Sequence, residues 1–349
     1  MNPNIVSFIY LVAGVLFILG IKGLTKPKTA VRGNLLSALG MLLAVVVTFL
    51  NINNVDYSYV IAGVAVGSII GGVMALRIQM TSMPQMVALL NGFGGGASLT
   101  IALAEYFTTL VAAPTSFADM LVPIAVDTGA FGIGAEGIFA LIAIGLTVLI
   151  GAVTLTGSLV AFSKLQELMK NSYGLPGGPF GNGILFVAAL FAIGSVVVDP
   201  GNMAGMLAIV GLGLLLGLFL VMPIGGADMP VVIALLNSYS GIAAALAGFI
   251  LGNTVLIIAG SLVGTSGLIL TQIMCVAMNR SLTNVLFGKM ASGGEEIDAD
   301  EIYAGKVTSA QPDEIAMMLE VAKRVVIVPG YGMAMAQAQH AVRELADAM

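Results

Sequence analysis

The stretch Gly225-Gly-Ala-Asp228-Met-Pro230-Val-Val-Ile-Ala-Leu-Leu-Asn237-Ser-Tyr-Ser-Gly241 decides how the rest of the chain is interpreted. Its glycines leave the backbone free to turn, and Asp228 is a residue type that caps a first helical turn with its carboxylate. Pro230 suits that turn, because its missing N–H is not needed there. From Pro230 to residue 250 the chain is almost entirely apolar and long enough to cross a bilayer. Asn237 therefore lies where hydrocarbon is expected, which makes it a candidate functional residue.

The same pattern occurs earlier in the chain. Residues 83–95, Met-Pro-Gln-Met-Val-Ala-Leu-Leu-Asn-Gly-Phe-Gly-Gly, align without a gap with residues 229–241, at an offset of 146 positions. Asn91 and Asn237 consequently lie at equivalent depths of two related helices. Two interpretations stay open: an amide that ties neighbouring helices together, worth about 1 kcal/mol in lipid, and an amide that lines an ion pathway.

The composition excludes a soluble globular protein. Of the 349 residues, 58% are hydrophobic and 9% are charged, which is typical of an all-α polytopic membrane protein. The single cysteine, Cys275, excludes an internal disulfide. The single histidine, His340, lies outside the apolar region, so we expect no metal site. We also expect contacts with membrane lipid and no nucleic-acid partner.

Nine apolar segments are predicted to span the membrane as helices. They are residues 5–24, 34–51, 57–76, 84–109, 137–162, 183–198, 203–222, 229–250 and 254–278. The sixth is short, and no alternating pattern of about ten residues favours membrane strands instead.

The basic residues predict the orientation. Every Lys and Arg lies between spans one and two, three and four, or five and six, at the end of span one that faces the same side, or after span nine, whereas the opposite loops carry only acidic charges. By the positive-inside rule the N-terminus is outside and the C-terminus is cytoplasmic. Spans three to five and seven to nine then form two copies in the same orientation, a parallel internal repeat.

After Arg280 the composition changes to that of a soluble segment. Residues 281–305 are an acidic linker, residues 314–322 a helix that Asp313 would cap, and residues 325–328 a short buried strand. The strand runs into Gly330-Tyr331-Gly332-Met333 and then a helix over residues 334–348. A strand, a Gly-x-Gly turn and a helix are the context of a dinucleotide-binding fingerprint, in which the helix N-terminus holds a pyrophosphate. Met335 stands where that fingerprint has its third glycine, and the segment predicts a partial α/β Rossmann-like unit.

Four motifs resemble one family, the proton-translocating NAD(P) transhydrogenases, and within it the beta subunit. They are Gly-Gly-Ala-Asp-Met-Pro at 225–230, Leu-Asn-Ser-Tyr-Ser-Gly at 236–241, Met-Cys-x-Ala-Met-Asn-Arg-Ser at 274–281 and Val-Pro-Gly-Tyr-Gly-Met-Ala at 328–334. The resemblance covers nearly all of the chain. It implies three parts: a transmembrane proton-translocating domain at 1–280, the acidic linker at 281–305, and the N-terminal fragment of an NADP(H)-binding domain at 306–349.

The resemblance also implies the activity. An alpha subunit binds NAD(H), the beta subunit binds NADP(H), and hydride passes between the nicotinamides as protons cross a bacterial inner membrane through a dimer of alpha–beta units. Asp228 would couple the proton to the nucleotide state. The residues implied to line the proton path are Asn237, Asn91, Thr265 and Ser266, and those implied to hold NADP are Gly330, Tyr331, Gly332, Met333 and Ala334.

Two features depart from the family pattern. Some members have histidine at the position of Asn91, and an amide orders water but does not titrate. The nucleotide unit reaches Met349 after one strand and one helix, too little to bury a domain core, so we expect it to continue beyond this residue. The alternative functions are a secondary transporter or channel built on the parallel repeat, with the tail as a regulatory module, and a membrane scaffold without catalytic activity.

Overall fold

The computed structural model describes residues 3–51, 57–112, 135–169, 178–287, 311–328, 330, 333 and 338–349. Nine helices in this part of the chain are long and apolar enough to cross a membrane. They are α1 (Pro3–Leu24), α2 (Pro27–Asn51), α3 (Tyr57–Arg77), α4 (Met83–Ala112), α5 (Ala135–Leu165), α6 (Pro179–Val198), α7 (Met203–Val221), α8 (Met229–Ile250) and α9 (Thr254–Ala277). Three shorter helices follow, α10 (Leu282–Phe287), α11 (Pro312–Val321) and α12 (Gln339–Ala348).

The predicted spans are confirmed, with shifts at a few ends. α8 begins and ends at the residues that the sequence predicts, and α9 begins at its predicted residue, Thr254. α2 and α6 begin several residues earlier than predicted, at Pro27 and Pro179. Proline fits the first helical turn because its nitrogen carries no hydrogen to leave unsatisfied. The sixth span, predicted to be short, therefore has 20 residues and is long enough to cross a bilayer.

A tight connection joins α8 to α9. Gly252 has a positive φ of 61°, and its N–H donates to the carbonyl of Phe249. The N–H of Asn253 donates to the carbonyl of Gly248 at 2.8 Å. This is the Schellman motif, which satisfies the last carbonyls of a helix. The Asn253 side chain then accepts from the N–H of Leu256 at 3.1 Å, so one residue ends α8 and caps α9.

Glycines bring neighbouring helices into backbone contact. A Cβ atom built on Gly95 of α4 would lie 2.8 Å from the carbonyl oxygen of Gly151 on α5. A Cβ atom on Gly241 of α8 would likewise lie 2.8 Å from the carbonyl oxygen of Gly260 on α9. Real Cβ atoms do not approach that closely, so α4–α5 and α8–α9 pack at a distance that only glycine allows.

α5 is the central helix of the bundle. It packs against α4, α7 and α8, and on the α7 side a Cβ atom on Gly213 would lie 2.8 Å from the Cβ of Ala152. α1 and α2 pack against each other, and α1 also contacts α9. α3 differs from the other spans because it has no buried side chain.

The chain divides into two compact units, Met1–Lys289 and Met290–Met349. α10 lies at the start of the segment expected to be a linker, and residues 288–310 lie outside the described part. In the second unit α11 begins at Pro312, with Gln311 as the flanking residue. The Gln311 N–H donates to the Glu314 carboxylate at 3.2 Å, so the prediction that Asp313 caps this helix is wrong.

The buried strand predicted at residues 325–328 is absent from the described part of this unit. These residues have no regular secondary structure and their side chains are exposed. An isolated extended segment is not stable as a strand until partner strands and a packed face support it. α12 begins at Gln339, and residues 334–337 lie outside the described part, as do Tyr331 and Gly332. The acidic residues Asp56, Asp119 and Asp127 of the predicted outer loops also lie outside it.

Candidate functional site

Asp228 is buried at the end of the segment that joins α7 to α8. The segment closes with a 3-10 turn, Gly226–Asp228, and Asp228 is 8% exposed. Its carboxylate makes no capping hydrogen bond to α8, so the predicted capping role is wrong. Residues that cap with their side chains have extended backbone angles, whereas Asp228 has φ −92° and ψ −5°. The 3-10 turn brings Asp228 close to helical geometry, and its carboxylate is left for another partner.

That partner is Arg280, which the end of α9 positions. Asn279 has a positive φ of 52°, and the Arg280 N–H donates to the carbonyl of Cys275 at 2.9 Å, again as in a Schellman motif. The Arg280 guanidinium then donates from Nη1 to Oδ2 of Asp228 at 2.7 Å. The sequence reasoning missed this ion pair, although Arg280 belongs to one of the four motifs and Asp228 is the only acidic residue between Asp199 and Glu295.

The two carboxylate oxygens of Asp228 have different surroundings. Oδ2 accepts the charge-assisted bond from Arg280, whereas Oδ1 is buried and has no hydrogen-bond donor among the described residues. The Asp228 side chain is 12% exposed and that of Arg280 is 54% exposed. The contact joins a carboxylate to a guanidinium, and hydrogen bonds between charged groups are stronger than those between neutral ones.

Asn91 ties α4 to α8. It is 7% exposed, and its Nδ2 donates to the backbone carbonyl of Ile233 at 3.2 Å. The structure thus shows for Asn91 the interhelical hydrogen bond that was one of its two interpretations.

Asn237, at the equivalent position of α8, has different surroundings. It is partly buried and has no hydrogen bond to the described residues. Its neighbour Ser238 is fully buried and donates from Oγ to the carbonyl of Gly264 on α9 at 2.7 Å. The side-chain tie between α8 and α9 therefore comes from Ser238, which sequence reasoning did not single out, and Asn237 is left available for another interaction.

Thr265 and Ser266 are exposed on the outer face of α9. The Ser266 hydroxyl donates to the carbonyl of Val263 in its own helix at 3.0 Å. Neither residue is buried with Asn91 or Asp228 inside the bundle that this chain forms.

In the C-terminal unit the structure describes two of the five predicted nucleotide-binding residues. The Met333 N–H donates to the carbonyl of Gly330 at 3.1 Å, which closes a turn. A Cβ atom on Gly330 would meet no other atom within 4 Å, so the backbone there is open to an approaching group. The other three, Tyr331, Gly332 and Ala334, lie outside the described residues.

The comparisons with known proteins agree on one family. The sequence model of the family described as NAD(P) transhydrogenase beta subunit matches residues 6–349. Two curated proteins from Rhodospirillum rubrum, both named NAD(P) transhydrogenase subunit beta, are similar to this chain. Each is 39% identical over 353 residues, and the match covers 100% of this chain and 72% of the relative.

Proposed function

This chain belongs to the NAD(P) transhydrogenase beta subunit family, and from that we propose the following roles for its parts. The chain is a multi-pass membrane subunit of a proton-translocating transhydrogenase and acts with an alpha subunit. Hydride passes between NADH and NADP⁺ as protons cross the membrane. The finer assignments rest on the contacts described above.

The observation that carries the coupling proposal is the Asp228–Arg280 pair. Arg280 is the last basic residue before α10 and the connection to the C-terminal unit. Protonation of Asp228 weakens the bond that holds Arg280 at 2.7 Å. The state of the proton is thereby transmitted to the start of the segment that leads toward the nucleotide.

We assign NADP(H) to this subunit and NAD(H) to the alpha subunit. The turn closed between Gly330 and Met333 and the open space at Gly330 support a backbone that approaches a pyrophosphate, as glycine-rich turns before helices do. Tyr331, Gly332 and Ala334, which lie outside the described residues, belong to the same proposed binding site.

The proton path is assigned to the surface that α8 and α9 share with the alpha subunit. Asn237 has a side chain without a hydrogen bond to the described residues, and Thr265 and Ser266 face outward from this chain. Membrane helices of the partner that cover this face would enclose the three polar groups. Asn91, whose amide binds Ile233, then acts in this proposal by holding α4 against α8 beside the path.

We also propose that α3–α5 and α7–α9 are the two copies of a parallel repeat. The Gly95–Gly151 contact between α4 and α5 matches the Gly241–Gly260 contact between α8 and α9. A second set corresponds too, because a Cβ atom on Gly92 would meet Ser158 at 3.1 Å and one on Gly267 would meet Ser238 at 2.7 Å. In both sets of contacts the matching residues of α4 and α8 are 146 positions apart in the sequence, and those of α5 and α9 are 109 positions apart.

The orientation follows from the charges, with the N-terminus outside and the C-terminus in the cytoplasm of a bacterial cell. We expect two alpha–beta units to assemble as a dimer, since the twofold dimer is the commonest closed arrangement of identical units.

Reconstitution tests the proposed function. The subunit is co-expressed with its alpha subunit, purified through a tag on one chain, and inserted into vesicles that contain a pH-sensitive dye. We expect the alpha subunit to co-purify, and NADP⁺ reduction by NADH to change the internal pH unless an uncoupler is added. Hydride transfer without proton movement, or a beta subunit that never retains its alpha partner, would contradict the proposal.

A further inference from the structure

Lys164 binds the segment that carries Asp228. It lies in the last turn of α5, and its Nζ donates to the backbone carbonyls of Met222 and, at 2.8 Å, of Ile224. Both acceptors lie between the end of α7 and the 3-10 turn that ends at Asp228. Lys164 of α5 therefore holds the segment that follows α7.

The two acceptors explain why a lysine is needed there. Both carbonyls lie in the chain just beyond the last residue of α7, Val221, next to the negative end of the helix dipole. Met222 and Ile224 are 9% and 3% exposed, so little water reaches this part of the segment. An ammonium group carries three donors, enough to serve both carbonyls at once.

The segment is thus held by two cations from different helices. Lys164 of α5 binds it at Met222 and Ile224, and Arg280 binds it six residues after Met222, at Asp228. If the first hold is released, the segment gains freedom to move, and the Asp228 carboxylate is no longer fixed opposite the guanidinium.

The Lys164 end of α5 is itself fixed. The N–H of Leu168 donates to the carbonyl of Ser163 at 2.9 Å, which closes the helix end with Glu167 at a positive φ of 55°. Gln85 of α4 donates from Nε2 to the carbonyl of Leu165 at 3.2 Å. The end of α5 that carries Lys164 is therefore tied to α4, the helix that also carries Asn91.

We propose that Lys164 is a positioning residue for proton coupling, which holds the 222–228 segment so that Asp228 meets Arg280. This inference rests on the proposed function of the Asp228–Arg280 pair. In this proposal Lys164 neither binds nucleotide nor carries the proton. It acts through Asp228.

The test uses the alpha–beta complex in vesicles and the rate of NADP⁺ reduction driven by a proton gradient. Lys164→Met keeps the length of the stem and removes the donors. We expect it to lower the gradient-driven rate at least about tenfold, because a hydrogen bond from a charged donor is typically worth that factor or more. Lys164→Arg, which can serve both carbonyls, should recover most of the rate. The matched control is Lys22→Met, because Lys22 also lies in the last turn of its helix but is exposed, and it should behave like wild type.

A double-mutant cycle separates positioning from a general loss of stability. If Lys164 acts through Asp228, Lys164→Met should cost little more once Asp228→Asn is present, since contacting or coupled residues are non-additive. Additive losses would overturn the proposal, as would a wild-type rate in Lys164→Met or no recovery in Lys164→Arg. If Lys164→Met does not assemble, Lys164→Gln, which keeps one donor, takes its place under the same criterion. Failure of the proposed function is distinct, because the wild-type complex would then show no proton coupling at all.

Discussion

Replacement of Asp228 by asparagine separates its charge from its shape. The carboxylate makes no capping bond to α8, so the substitution removes no helix cap and should leave assembly with the alpha subunit intact. It removes the charge from the 2.7 Å bond to Arg280. The Arg280 side chain is 54% exposed and that of Asp228 is 12% exposed. The energy of this ion pair should therefore lie between that of a fully exposed pair and that of a fully buried one.

The magnitude follows from that intermediate position. Exposed ion pairs are worth up to ~1 kcal/mol and the loss of one buried partner costs ~3–5 kcal/mol, so we expect about 2 kcal/mol here. If this energy serves coupling, the gradient-driven rate of NADP⁺ reduction should fall about 30-fold in Asp228→Asn.

The assay is a cycle of Asp228→Asn, Arg280→Gln and the double variant in vesicles, with thermal unfolding measured in parallel. Arg280→Gln should lower stability more than Asp228→Asn, because it leaves a buried carboxylate without its cation. The double variant should be no worse than Arg280→Gln alone. The matched control is Asp199→Asn, an exposed acid whose Oδ1 accepts from the backbone N–H of Gly201, and it should behave like wild type.

Wild-type coupling in Asp228→Asn would refute this reasoning. Strictly additive losses in the cycle would also refute it, because two residues that act through one bond cannot lose that bond twice. The coupling group would then have to lie elsewhere in the complex.

Three further predictions concern packing, nucleotide binding and topology. Gly241→Ala should destabilise the subunit by about 1–3 kcal/mol in thermal unfolding, because the added methyl overpacks the α8–α9 contact. The control Gly211→Ala should leave stability unchanged, because a Cβ atom there meets nothing within 4 Å. Equal stabilities of the two variants would refute the close contact. Gly330→Val should weaken NADP(H) binding to the complex at least about tenfold in calorimetry, because a side chain blocks the backbone approach, and an unchanged affinity would exclude this turn as the site. In a cysteine-free background, a cysteine replacing Gly201 should react with an impermeant label from outside and one replacing Thr283 should not, and labelling of both from one side would overturn the orientation.

The sequence predicted the helices well because helix formation in a membrane is a local matter. A run of apolar residues of spanning length has to satisfy its backbone hydrogen bonds internally, and proline, glycine and asparagine at its ends specify where it begins and stops. Pro230 in the first turn of α8 and the Gly252-Asn253 connection follow from neighbours within a few residues. The resemblance to the family likewise rested on short contiguous motifs, and the comparisons confirmed it over residues 6–349.

The roles of the polar side chains depended on residues distant in the sequence, and only the tertiary structure decided them. The Asp228 carboxylate had two possible hydrogen-bond partners, the amides of its own helix and a cation 52 residues away. It binds the cation, because the end of α9 brings Arg280 within 2.7 Å. Two asparagines in matching sequence contexts, Asn91 and Asn237, differ for the same reason, since only Asn91 lies opposite a described backbone carbonyl on another helix. Whether a polar side chain caps, pairs or faces outward depends on which helices pack beside it, and the helix-by-helix pattern does not contain that information.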